Sequence, residues 1–319
     1  MMRIYLFLLM AGIASSTLWG QENAREELDR AFQLDWRGQF AQVIAVAKPL
    51  TTATTLTPAD RGRDWMLLGH AYQEEGKFQD AETAYEQSLH LLENHGPNAA
   101  AYAATLSTFA TLYRDMGKLE AAMRMEASAL SLYEREVNHA GTAIACSCLA
   151  DLALRRKLIH KARSYLTRAL HEANLARGRL DDDCFASLSS TQAWLAELDH
   201  NPTAAISGYQ HALALREHLH GEHHPSIGLG LMRLGKAYAE AGDIASALEN
   251  MRKGLDILGQ TEGLHSASYA SAEMAYVQVL DASGAHSEAR ELKNKAAETL
   301  NNLYHHQCVQ CRVSVAALY

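Results

Sequence analysis

Residues 65–85, WMLLGHAYQEEGKFQDAETAY, decide how this chain folds. Trp65, Leu68, Gly69 and Tyr72 fall three and four residues apart, as on one face of an α-helix. Gly76 interrupts, and Phe78, Ala81 and Tyr85 resume the pattern as a second helix. The register recurs at Leu106, Phe109, Ala110, Tyr113, Gly117, Leu119 and Ala122, and again at Leu231, Leu234, Gly235, Tyr238, Gly242, Ile244 and Ala247. Weaker copies follow Arg25, Ile144, Ser187 and Ser271.

The small residues in these copies have a packing reason. Where two helices of a hairpin touch, a large side chain would push them apart. The first helices offer Ala31, Gly69, Ala110, Ala150, Ala193 and Gly235 there, with Val277 the exception. The second helices offer Ala81, Ala122, Ala162, Ala205, Ala247 and Ala289, with Val43 the exception. A third set, Ser88, Ala129, Ala169, Ala212, Gly254 and Ala296, faces the next hairpin. Larger neighbours such as Trp65, Leu68, Tyr72 and Tyr85 fill the space between, as a close-packed interior requires. Gly38, Gly76, Gly117, Gly242 and Gly284 mark left-handed stops between first and second helices. Lys157 and the run His200-Asn201-Pro202 stand at the equivalent places of two hairpins, so those turns are expected to differ. Thr57-Pro58 and His224-Pro225 precede first helices, where proline is tolerated.

The first-helix small positions 31, 69, 110, 150, 193, 235 and 277 repeat every 38 to 43 residues. With the W-x2-L-G-x2-Y spacing, this resembles the tetratricopeptide repeat, in the longer form typified by kinesin light chains. The loop His218-x-x-Gly221-x-x-His224-Pro225 strengthens that resemblance. The paired asparagines of the light chains are missing: Met66-Leu67, Ser107-Thr108 and Met232-Arg233 stand there. The resemblance covers most of residues 24–304 and implies an all-α fold, a right-handed α-solenoid of about seven antiparallel helical hairpins. It also implies a concave groove lined by first helices.

Carrying the family's groove positions onto this chain gives His70, Thr111, Asp151, Trp194, Lys236 and Gln278 at the ninth place of each repeat. The fifth place reads Met66, Ser107, Ser147, Ser190, Met232 and Met274, and Arg114, Arg155 and Glu240 lie further along. Thioether side chains suit adaptable contact surfaces. Trp194 is the strongest anchor candidate, since tryptophan is enriched at binding hot spots, with packing inside the fifth hairpin as the alternative. Met232 and Met274 have core packing as theirs. No Lys–Asn pair of the carboxylate-clamp kind occupies the fifth and ninth places.

Residues 1–20 differ from the rest. Met1-Met2-Arg3 precedes an apolar run from Ile4 to Ala14 and the small residues Ser15 and Ser16, which reads as a secretory signal peptide or an N-terminal anchor. The expected organisation is therefore an export segment at 1–20, a repeat array at 21–304 and a non-helical tail at 305–319. The localisation expected is periplasmic or secreted. A formal charge of −8 disfavours a nucleic-acid partner, whose phosphates want a basic face. The expected partner is another protein or a peptide segment.

The chain has five cysteines, Cys146, Cys148, Cys184, Cys308 and Cys311. Cys146 and Cys148 are two apart on a helix and point to different faces. Cys308-x-x-Cys311 could close a disulfide after export, stay as thiols, or join His305 and His306 as a zinc site. A metal- or redox-responsive protein built on that cluster is the alternative function. His218, His220, His223 and His224 form a second histidine-rich place, read as a linker before a metal site. Asp181-Asp182-Asp183 reads as a helix start, where carboxylates meet the positive end of the helix dipole. There is no H-E-x-x-H, no G-x-S-x-G and no phosphate-binding loop, so no enzyme and no cofactor are expected.

Overall fold

The computed structural model describes residues 22–93, 99–176 and 178–307, with side chains undescribed at 267 and 303–307. The signal-peptide reading, Cys308, Cys311 and the end of the tail lie outside the described residues. Among those residues the fold is all-α, fourteen helices and no strand. The chain divides into two compact units, residues 1–108 and 109–319, and the division falls within one helix.

The first unit holds α1 (22–36), α2 (Phe40–Leu50), α3 (Pro58–Glu74), α4 (Phe78–Leu92) and the start of α5 (Ala99–Asp115). The second holds the rest of α5, then α6 (Leu119–Arg135), α7 (His139–Arg155), α8 (Ile159–Leu175), α9 (Asp182–Leu198) and α10 (Pro202–His220). It continues with α11 (Pro225–Glu240), α12 (Ile244–Thr261), α13 (Ala267–Ala282) and α14 (His286–Gln307). Odd and even helices pair into hairpins at the places the repeat register marks. The last helix runs on to Gln307, three residues past the point where the apolar periodicity fades. Nothing in His305-His306-Gln307 breaks a helix.

The small positions do what the spacing asks. Ala81, Ala122, Ala162, Ala205 and Ala247 are fully buried, as is Val43, which fills the same place in the first hairpin. A Cβ at Gly69 would come within 2.8 Å of the Tyr85 ring. Tyr85 is itself fully enclosed and pinned by a 3.0 Å hydrogen bond from its hydroxyl to Gln73 Oε1, so the ring cannot swing away cheaply. Thr57 caps α3 by accepting from the Asp60 N–H, and His224 Nδ1 caps α11 by accepting from the Ser226 N–H. Pro58 and Pro225 follow at the first helical positions. Asp181 caps α9 by accepting from the Cys184 N–H, and Asp182 and Asp183 sit in its first turn.

The turns correct one expectation. Lys157 (φ 58°) and His200 (φ 56°) adopt the same left-handed stop as Gly76 (φ 71°). The bonds repeat too: Gly76 N–H to Gln73 O and Lys77 N–H to Tyr72 O are matched by Lys157 to Leu154 and Leu158 to Ala153, and by His200 to Glu197 and Asn201 to Ala196. Satisfying the last helical carbonyls outweighs the steric cost of a side chain there, about 1–2 kcal/mol. Val137 (φ 51°) makes an unforeseen stop of this kind between α6 and α7.

Candidate partner-binding site

Within residues 109–307 each first helix keeps one stripe out of the core. On α7 it is Ile144, Cys148, Asp151 and Arg155, and on α11 Leu229, Arg233, Lys236 and Glu240. On α9 Trp194 is half-buried and Leu198 exposed. The stripes meet in a polar network centred on Trp194. Asp151 Oδ2 accepts from Arg155 Nε at 2.8 Å, and the Arg155 and Arg233 guanidiniums lie over the Trp194 ring, 5.7 and 5.5 Å from its centroid. Arg114 donates from Nε to Asp115 Oδ1 at 2.9 Å.

Burial works against the charge on Asp151, but Arg155, Arg114 and Arg233 outweigh it and hold its carboxyl below the usual value. Burial likewise opposes the charge on Arg114, yet Asp115 and then Asp151 hold it firmly protonated. These charges come from three helices, α5, α7 and α11, and Trp194 from a fourth.

Beneath the strip lies a buried acid. The Glu197 side chain is 6% exposed, and its Oε2 lies 3.4 Å from Lys236 Nζ. Desolvation pushes its carboxyl up, and Lys236 offsets this only in part. Burial pushes the Tyr209 hydroxyl of α10 up, with Glu197 raising it further and Arg233 opposing. Lys236 also reaches Glu240 at 3.5 Å.

The predicted groove residues fare differently. Thr111, Arg114, Asp151, Arg155 and Trp194 are half-buried on first helices, and Lys236 and Gln278 are exposed. Met274 is half-buried on α13. Met232 is 6% exposed and packs in a core cluster with Met251, Leu255 and Leu258. It fills space that Gly254 leaves, its sulfur 3.1 Å from where a Cβ would stand. Its neighbour Arg233 takes the outward place. Ser107, Ser147 and Ser190 are buried, and Ser190 lies 3.5 Å from Arg216 Nη1. Arg233, Glu197 and Tyr209 were missed, and only the position of Arg233, one turn after Leu229, could have been found from the repeat.

In the first unit, Met66 and His70 are half-buried on α3. His70 Nδ1 is 2.8 Å from Asp35 Oδ1 and its Nε2 is 3.6 Å from Glu74 Oε1, with Phe40 edge-on at 5.7 Å.

The other chemistry-bearing groups are placed as follows. Burial pushes the Cys146 thiol up to about 11, the Cys184 thiol to about 12 and the Cys148 thiol well above its ordinary value, so all three stay protonated and poorly nucleophilic at neutral pH. His218 lies 3.3 Å from Asp182, and the His220 and His224 rings stack at 4.3 Å. Among the described residues no three His, Cys, Asp or Glu side chains are arranged to hold a metal ion. Nor is any described helix long and apolar enough to cross a membrane.

The tetratricopeptide-repeat family model matches residues 63–135 and 186–260. No curated protein matches the sequence. Among solved structures, Rap protein complexed with Competence and Sporulation Factor is 14% identical, with a TM-score of 0.56 over 90% of this chain and 94% of that one. BtubC (BKLC) from P. vanneervenii is 21% identical, with a TM-score of 0.49 over 75% of this chain and 94% of that one. A Podosopora anserina kinesin light chain with nearly identical TPR-like repeats is 15% identical, with a TM-score of 0.45 over 64% of this chain and 97% of that one. The hairpin register, its small-residue contacts and the two matched segments together show that the chain carries tetratricopeptide repeats.

Proposed function

We propose that this chain is a non-catalytic scaffold that holds a protein or peptide segment along the first helices of residues 109–307, and that it acts outside the cytoplasm. The observation that carries the reading is Trp194, half-buried among side chains of neighbouring first helices and flanked by Arg155 and Arg233. A flat aromatic held beside guanidiniums, with Leu198 and Leu229 exposed nearby, is the composition of a binding hot spot. Rap protein, similar in fold, has been solved in complex with a factor, which supports a binding role for this architecture. The apolar run at Ile4–Ala14 supports export.

The test of binding is recovery of a partner from the native host by the mature chain. Trp194→Ala should cut recovery roughly tenfold or more while the helical spectrum stays intact. Undiminished recovery would show that the groove assignment is wrong. For location, an alkaline phosphatase fused after residue 30 should be active in intact cells. An inactive, cytoplasmic fusion would overturn the extracytoplasmic role.

A further inference from the structure

All but one of the basic side chains in the strip are bonded to a carboxylate. Arg114 has Asp115 at 2.9 Å, Arg155 has Asp151 at 2.8 Å, and Lys236 has Glu197 at 3.4 Å and Glu240 at 3.5 Å. Arg233 is the exception. Among the described residues it forms no ion pair within 4.0 Å, and its guanidinium lies over the Trp194 ring, 5.5 Å from the centroid. Asp151 feels its charge, but that carboxylate is already bonded to Arg155.

We infer that Arg233 receives a single carboxylate, an Asp or Glu side chain set in an otherwise apolar segment of the partner, beside the Trp194 ring and the exposed Leu229. This rests on the groove reading above and names the chemistry the groove selects. A guanidinium presents several N–H donors in a plane and takes a carboxylate in two parallel bonds. The half-buried Trp194 ring, 5.5 Å from the Arg233 guanidinium, holds that head in place before a ligand arrives. That preorganisation lowers the ordering cost of binding. A run of acids fits poorly, because the Asp151 carboxylate, close enough to interact with Arg233, would repel a second and third charge. Leu229 lies one helical turn before Arg233 and is 44% exposed, which gives the apolar neighbour of the carboxylate a place to rest.

The experiment uses the full chain labelled with ¹⁵N-tryptophan, with the Trp194 indole N–H assigned through Trp194→Phe. The probes are the capped tripeptides acetyl-Leu-Glu-Leu-amide and acetyl-Leu-Gln-Leu-amide. The glutamate peptide should shift the Trp194 resonance saturably, and the glutamine peptide should bind roughly tenfold more weakly. Arg233→Gln should erase that preference, while Arg252→Gln on α12 should keep it. Equal binding of the two peptides, no shift up to about 10 mM, or a preference that survives Arg233→Gln would overturn the inference. If a host partner is still recovered in a Trp194-dependent way when the peptides are indistinguishable, only this inference falls. If Trp194 proves irrelevant to the host partner as well, the groove reading falls with it.

Discussion

Hairpins α3/α4 and α9/α10 share one plan but bury acid on different terms. In α3/α4, Asp64 is fully enclosed and neither of its carboxylate oxygens has a hydrogen-bond partner. Burial alone pushes its carboxyl up to about 8, so it sits in the core as a neutral acid. In α9/α10, Glu197 is nearly as buried and its Oε1 is unbonded too, but its Oε2 lies 3.4 Å from Lys236 Nζ. The outward faces differ in parallel. His70 on α3 is held between Asp35 and Glu74, whereas Trp194 on α9 lies beside cations and leaves part of its surface to solvent. A buried acid with partners can position a surface group, and one without partners only makes stability depend on pH.

The largest expected contrast is in binding. Trp194→Ala should cost about 2–4 kcal/mol of partner affinity, and His70→Ala under about 1 kcal/mol, read by titration of the recovered partner. Equal losses would erase the distinction between the two hairpins.

Asp64→Asn comes next. The folded-state value of about 8 lies above the ordinary 3.8, so the folded chain binds the extra proton. Stability is then greatest below about pH 4 and declines as pH rises towards 8, by about 1.4 kcal/mol per unit at the steepest. Asp64→Asn should flatten that decline in urea melts run between pH 5 and pH 8. A decline unchanged by the substitution would mean that another group carries it.

Tyr209→Phe removes a buried hydroxyl whose electrostatic interaction reaches Glu197 and Arg233, without removing bulk. It should lower partner affinity about fivefold and cost ~1 kcal/mol of stability. Loss of stability with affinity unchanged would show that Arg233 is positioned by something else.

The smallest effect separates the turns. Gly76→Ala forces a side chain into φ 71° and should cost about 1 kcal/mol. His200→Gly relieves φ 56° and should gain about 0.5–1 kcal/mol in the same melts.

Much of the fold was legible because one spacing repeats. Once Gly69 and Ala81 are placed, their equivalents Ala150 and Ala162 follow, and both are fully buried in the structure. The outward face of the first helices was legible for the same reason: a fixed offset from a buried small residue fixes a helix face. Met232 was not, because its direction depends on Gly254 of another helix, which leaves a gap that a thioether fills. Arg233 then inherits the outward place. The contact between Glu197 and Lys236 joins α9 to α11, and no local spacing announces it. Lys157 and His200 show the limit of residue preference, since helix-end hydrogen bonds fix the backbone and tolerate a costly residue.

The central claim is that a partner lies along the outward stripe of the first helices in residues 109–307. Phe185 gives an internal control. It is 37% exposed on α9 and stands nine residues before Trp194, about 180° round the helix, on the side of Ser189 and Gln192. A photo-crosslinking phenylalanine placed at Leu229 and, separately, at Phe185 reads the two faces in the same host extract. Cross-linking of the partner from position 229 and not from 185 is the result predicted. Cross-linking from 185 and not from 229 would contradict it.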